Sequence, residues 1–223
     1  MNLKRMYELV LASESPRRRE LLTNAGFKFQ VHPSKISETL KENLTIDEQI
    51  LDIAIMKARA SVQSLPPTKA TANLQSRLVL AADTMVVLDQ RPLGKPGSVA
   101  DAVFALRRMS GRAHSVKTSV CLIDENQQIC ESWIETTEVE FRSLSDQDIE
   151  TYVNSGEPMD KAGSYGIQGR GGDFVAHISG SYTNVVGLPM ESVVEKLATL
   201  FKLFPTHTPR ALPQWQQRSR IQR

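Results

Sequence analysis

Cysteine is nearly missing from this 223-residue chain, which holds two, Cys121 and Cys130. Neither sits in a CxxC pair or beside a histidine, so neither reads as a redox or zinc residue. The histidines at 32, 114, 177 and 207 show no metal-ligand spacing, which speaks against zinc. Long apolar runs are lacking as well, and none approaches the roughly 20 residues that cross a bilayer. A net charge of +2 is too small to argue for nucleic acid or a membrane surface as partner. Two nucleotide signatures are missing: there is no GxxxxGK[ST] loop and no GxGxxG after a strand. There is no GxSxG elbow, and Ser13 and Ser15 have no evident histidine partner. No signal-like stretch precedes the cysteines, so the expectation is a soluble, cytoplasmic chain with both thiols reduced.

What is present is the composition of an ordinary globular protein, 40% hydrophobic and 23% charged. Its length suits one sizeable domain or two lobes of one. Strand-like and helix-like segments alternate, which predicts an α/β fold. Strands are expected over 7–12, 27–31, 78–88 and 174–178, with a long hairpin of 114–124 and 128–141. Helices are expected over 16–25, 47–62, 99–109, 146–153 and 190–200, the second with Ile50, Leu51, Ala54, Ile55 and Ala58 on one face. Residues 64–77, with two prolines and many small polar residues, read as a surface insertion. From 202 onward the chain has five Lys/Arg and no acid, the composition of a basic, mobile tail.

The most informative stretch is Ser13-Glu14-Ser15-Pro16-Arg17-Arg18, directly after the apolar run 9–12. Ser15 is a good N-cap and Pro16 a favoured first helical residue. Arg17 and Arg18 then fall in the first turn, where the helix dipole favours acids, so a bound anion is the natural compensation. A solvated helix start is the ordinary alternative. Asp83 interrupts the most apolar strand, and a carboxylate there needs a pairing, a hydrogen bond or a metal. Lys57 lies on the second helix between small residues, where a plain surface charge is the competing reading. Leu93-Gly94-Lys95-Pro96 adds a lysine held by a turn. Residues 154–172 hold six glycines, which permit close backbone approach to a ligand, with Asp160, Lys161, Tyr165 and Gln168 as polar groups. Asp83 and Glu38 with Arg17, Arg18, Lys57 and Lys95 suit a Mg²⁺-dependent reaction on a polyphosphate.

In this order, Ser13 to Arg18, Lys57-Ala58-Arg59-Ala60, Ala82-Asp83-Thr84, Lys95-Pro96, the stretch from Glu157 to Gly169 and Asn184-Val185-Val186-Gly187-Leu188-Pro189 resemble the Maf family. These are nucleoside triphosphate pyrophosphatases, and the resemblance runs from about residue 9 to 200. It implies an elongated mixed β-sheet with flanking helices forming two lobes around a cleft, as in the inosine triphosphate pyrophosphatases. It implies one catalytic domain over 1–201, with 202–223 as an appended tail. The implied reaction converts a nucleoside triphosphate to the monophosphate and pyrophosphate with Mg²⁺ or Mn²⁺, in a chain for which a homodimer is the family expectation. Arg17, Thr84 and Gln168 stand where the dTTP/UTP subgroup carries those residue types. Asp83 is then the catalytic residue and, with Glu38, a metal ligand. Ser13, Arg17, Arg18, Lys57, Thr84, Lys95 and Gln168 bind substrate. Glu14 and Ser181 depart from the family pattern. A nucleotide-binding regulator without turnover, linked to cell division, and a nucleic-acid binder using the basic tail are the rival readings.

Overall fold

Leu9, Val10 and Leu11 of the first strand, β1 (Met6–Leu11), are almost wholly buried, as in a strand covered on both faces. The computed structural model describes residues 6–34, 36, 41, 43–66 and 75–206. Glu38, residues 67–74 of the expected insertion and residues 207–223 of the tail lie outside the described residues.

From β1 the chain passes through α1 (Pro16–Asn24) to β2 (Phe29–Val31), then through α2 (Ile46–Ser64) to β3 (Gln75–Leu88). β1 pairs in parallel with both strands, Leu11 lying opposite Val31 on one side and Leu80 on the other. The crossover from β1 to β2 and the next one, from β2 to β3, therefore run in opposite directions across the sheet. Such a switch point opens a crevice outside the strand's carboxyl end, where α/β sheets bind ligands. In this chain that end leads into Ser13.

β4 (Arg91–Leu93) folds back antiparallel on β3, with Leu93 opposite Val86. There follow α3 (Val99–Met109), β5 (Ala113–Asp124), β6 (Ile129–Phe141) and α4 (Asp146–Asn154). Three short 3-10 turns between Glu157 and Phe174 lead to β7 (Val175–Ser179), α5 (Tyr182–Val186) and α6 (Met190–Phe201). Seven strands make a mixed sheet in the order β2-β1-β3-β5-β6-β7, with β4 on β3. The fold class is α/β, as the alternation of segments predicts.

The described residues sort into two compact units, one of 6–83, 119–134 and 190–206, the other of 84–118 and 135–189. In the first, Ala54, Ala58 and Val62 of α2 pack on Val10, Val79, Ala81, Cys121 and Ile123. The alanines bring the helix close to the sheet. In the second, Leu106, Met109, Phe141, Tyr152, Tyr165 and Phe174 form the core. Its rings meet edge to face, Phe141 against Tyr165 at 4.8 Å and Tyr152 against Phe174 at 4.9 Å between centroids.

Three expectations need correction. Residues 75–77 are the first of β3 and not part of an insertion. The buried face of α2 is Ile50, Ile53, Ala54, Ala58, Ser61 and Val62, while Leu51 and Ile55 are half-buried. β4, α5 and the 3-10 turns are additional elements. Among the described residues no helix is long and apolar enough to cross a membrane. Both cysteines are free, Cys121 buried and Cys130 exposed. Burial pushes the Cys121 thiol up to about 12, so it carries no nucleophile.

Candidate active site

Ser13 leaves the sheet where Ala12 N–H still donates to Leu80 O at 2.8 Å, beside the part of β3 that ends in Asp83. The turn that follows is organised by its own hydroxyls. Ser15 N–H donates to Ser13 Oγ at 3.2 Å, Arg18 N–H donates to Ser15 Oγ at 3.4 Å, and the Arg18 guanidinium donates to Ser13 Oγ at 3.3 Å. Ser15 is the N-cap and Pro16 opens the helix. No acid occupies the first turn, so the positive helix end and Arg17 and Arg18 lie together. Ser13 is buried, whereas Glu14 is exposed, its carboxylate in solvent.

Asp83 is buried at 8% exposure, and its charge is met by Lys57 of α2, whose Nζ lies 2.7 Å from Oδ1. The two side chains are 11% and 12% exposed, so this is a partly desolvated pair and not a surface contact. The lysine is held there by its helix. Thr45 and Glu48 form a full capping box at the start of α2, and the buried Ser119 hydroxyl donates to Ile50 O at 2.7 Å. A carboxylate has two oxygens, and this ion pair uses one.

In the second unit, Thr84 Oγ1 lies 2.9 Å from Thr118 Oγ1 and 3.4 Å from Gly187 O. Thr118 Oγ1 also lies 3.0 Å from Asn184 O, and whether Thr84 donates to Thr118 or to Gly187 O, its hydroxyl hydrogen stays within this cluster. Asn184 ties this corner together, Nδ2 donating to Val116 O and Thr137 Oγ1, each at 2.9 Å. Ser181 caps α5 by accepting from Asn184 N at 3.1 Å, which gives a helix-start role to that departure from the family pattern.

Lys95 is exposed on a turn that is tied down where Gly163 N–H donates to Gly94 O at 3.1 Å. Gln168 is exposed in a turn closed by Gly169 N–H donating to Gly166 O at 3.2 Å. Three of the surrounding glycines are crowded by the protein's own side chains. A Cβ at Gly166 would press on the Lys161 side chain, at Gly169 on the Glu157 carboxylate and at Gly163 on Val86. Glu157, the first residue of the stretch that resembles the family, anchors this loop, a role that its local context does not show.

The structure thus joins Ser13 with Arg18, and Lys57 with Asp83, in the first unit. Thr84, Lys95 and Gln168 belong to the second. The other expected metal ligand, Glu38, lies outside the described residues. Among those described, no group of three His, Cys, Asp or Glu side chains could hold a metal ion. Asp83 alone, with one oxygen engaged by an ammonium, does not make a divalent-cation site.

The family model for Maf-like protein matches residues 8–200, and the chain belongs to this family. Among curated relatives, a dTTP/UTP pyrophosphatase of Bdellovibrio bacteriovorus is 48% identical over 190 residues, covering 85% of this chain and 97% of that protein. A dTTP/UTP pyrophosphatase of Moorella thermoacetica is 47% identical over 193 residues, covering 86% and 95% respectively. Among solved structures, the Staphylococcus aureus Ham1 protein aligns over 91% of this chain and 93% of that chain, at 15% identity and TM-score 0.42. That superposition is too loose to argue from.

Proposed function

We propose that this chain hydrolyses dTTP and UTP to the monophosphate and pyrophosphate, with Asp83 as the catalytic carboxylate. The observation that carries the reading is the buried Asp83–Lys57 pair on the strand next to the Ser13 turn. Two curated relatives that match most of the chain are named dTTP/UTP pyrophosphatases, which supports the substrate class.

On this reading the turn N–H groups, Ser13, Arg17 and Arg18 take phosphate oxygens, as a helix start with two arginines is suited to do. Asp83 withdraws a proton from the water that attacks the α-phosphorus. Lys57 keeps that carboxylate oriented, and Lys57 and Lys95 offset the charge that gathers on the leaving pyrophosphate. A divalent cation, Mg²⁺ or Mn²⁺, would add charge neutralisation at the phosphates, with Asp83 and Glu38 as its expected ligands. The described donor set does not amount to that site.

Gln168 offers a donor and an acceptor to the alternating edge of thymine or uracil, and Glu in its place would favour the paired N–H groups of a purine. Thr84, whose proton is committed inside the protein, would offer a substrate its oxygen lone pairs. The same reading takes 1–201 as one catalytic domain with 202–223 appended, in a cytoplasmic enzyme acting as a homodimer.

The test is a panel of nucleoside triphosphates assayed for pyrophosphate in Mg²⁺ and in Mn²⁺, with wild type and Gln168→Glu. Wild type should prefer UTP and dTTP, and the variant should lose about tenfold in that preference, the value of one hydrogen-bond mismatch. Equal rates on all nucleotides would refute the substrate assignment, and unchanged preference in the variant would remove Gln168 from it.

A further inference from the structure

The turn that carries Gln168 is fastened at both ends to one carboxylate. On its far side, Arg170 N–H donates to Glu157 Oε2 at 3.1 Å and Gly171 N–H donates to Oε1 at 3.4 Å. On its near side, Gly166 N–H donates to Tyr152 Oη at 3.1 Å, and that hydroxyl donates on to Glu157 Oε1 at 3.0 Å. The carboxylate itself fills the space where a Cβ on Gly169 would stand. Burial raises the Tyr152 phenol, so it stays protonated as the donor in this chain of contacts. The backbone around Glu157 is fixed in turn, because Lys161 Nζ donates to Glu157 O at 2.7 Å and pairs with Asp160 at 2.7 Å.

We infer that Glu157 is a positioning residue for substrate choice: its carboxylate, with Tyr152, clasps the 166–171 turn and so sets where the Gln168 amide meets the base. The inference rests on the reading of Gln168 as the base-recognising side chain. An exposed glutamine on a glycine-flanked turn would otherwise sample many positions, and an amide discriminates between bases only when its placement is fixed. A carboxylate suits the clasp because it only accepts, and all three partners donate. In Glu157→Gln the new NH₂ must face an N–H or O–H, so one flank is released. Tyr152→Phe frees the Gly166 flank alone and keeps the ring in the core.

The experiment measures kcat and KM for UTP and GTP in wild type, Glu157→Gln and Tyr152→Phe, together with amide hydrogen exchange over 166–171. The expected result is an approximately tenfold fall in the UTP-to-GTP ratio of kcat/KM in both variants, carried mainly by a higher KM for UTP. Faster exchange confined to the turn should accompany it. A ratio that stays at the wild-type value, with kcat falling equally on both nucleotides, overturns the inference and leaves Glu157 a structural residue. Unchanged exchange in both variants overturns it as well. Wild type that hydrolyses neither UTP nor dTTP defeats the pyrophosphatase reading instead, and exchange then decides whether the clasp holds the turn.

Discussion

His114 sits 2% exposed against Phe141 and Tyr165, with Nε2 2.9 Å from Tyr165 Oη and no partner at Nδ1 among the described residues. Burial lowers its pKa from 6.5 to about 4, because a cation in this aromatic corner would be desolvated. The unfolded chain takes up a proton near pH 6.5 that the folded chain refuses until about 4. Stability from the neutral ring is therefore complete above pH 6.5 and is lost as the pH falls from there to about 4. Between pH 7 and pH 5 the loss should be about 2 kcal/mol, at about 1.4 kcal/mol per pH unit. His114→Gln keeps a polar contact to Tyr165 without titrating in this range. Urea midpoints at the two pH values should show that this share of the slope is gone in the variant. An equal slope in both proteins would contradict the assignment.

Single residues differed in how much their sequence context disclosed. Asp83 stands out because one carboxylate breaks an apolar strand, and burying it demands a partner. Lys57 could be told from a surface lysine only when the fold brought its helix onto β3. Glu157 opens a family motif, but its clasp gave no signal, since its three donors come from residues 5, 13 and 14 positions away along the chain.

The second helix shows how an element carries a site. α2 spans 19 residues and delivers Lys57 to Asp83. Its start is fixed by Thr45, whose side chain accepts from Glu48 N–H while Glu48 returns a bond to the Thr45 backbone. Thr45→Ala should cost about 1 kcal/mol, as for other N-caps. It should scarcely change kcat, because Lys57 lies three turns further along and is held by the packed Ala54 and Ala58. Thermal melting and turnover on UTP check this together. A large loss of turnover with little loss of stability would mean that the helix start itself takes part in the site.

Long elements were legible through periodicity, and the bounds of α3 over Val99–Met109 follow from Ser98 and Gly111 at its ends. β4 and α5, with three and five residues, are too short for a period to show. The glycine-rich stretch is ambiguous for a physical reason. Glycine marks close approach without saying of what, and here the approaching groups are Glu157, Lys161 and Val86.

For the molecule as a whole, alternating strands and helices dictate a mixed α/β sheet, and the order β2-β1-β3 makes the end of β1 a switch point. That topology puts the Ser13 turn where α/β sheets bind ligands, which makes it a candidate site and not only a surface helix start. Lys57 and Asp83, far apart in the chain, meet on β3, and Ser13 follows the strand that runs parallel beside it. No local pattern encodes that convergence, whereas the ordered series of motifs over 8–200 does.

If Asp83 drives cleavage of a pyrimidine nucleoside triphosphate between its α- and β-phosphates, removing its charge must stop that cleavage. Pyrophosphate and monophosphate release from UTP should be measured for wild type and Asp83→Asn side by side, with thermal melting of both. Wild type should release the two products in equal amounts. The variant should release them at least about a thousandfold more slowly, the scale on which a catalytic base acts, while the chain stays folded. Near-wild-type release from a folded Asp83→Asn would remove Asp83 from the reaction.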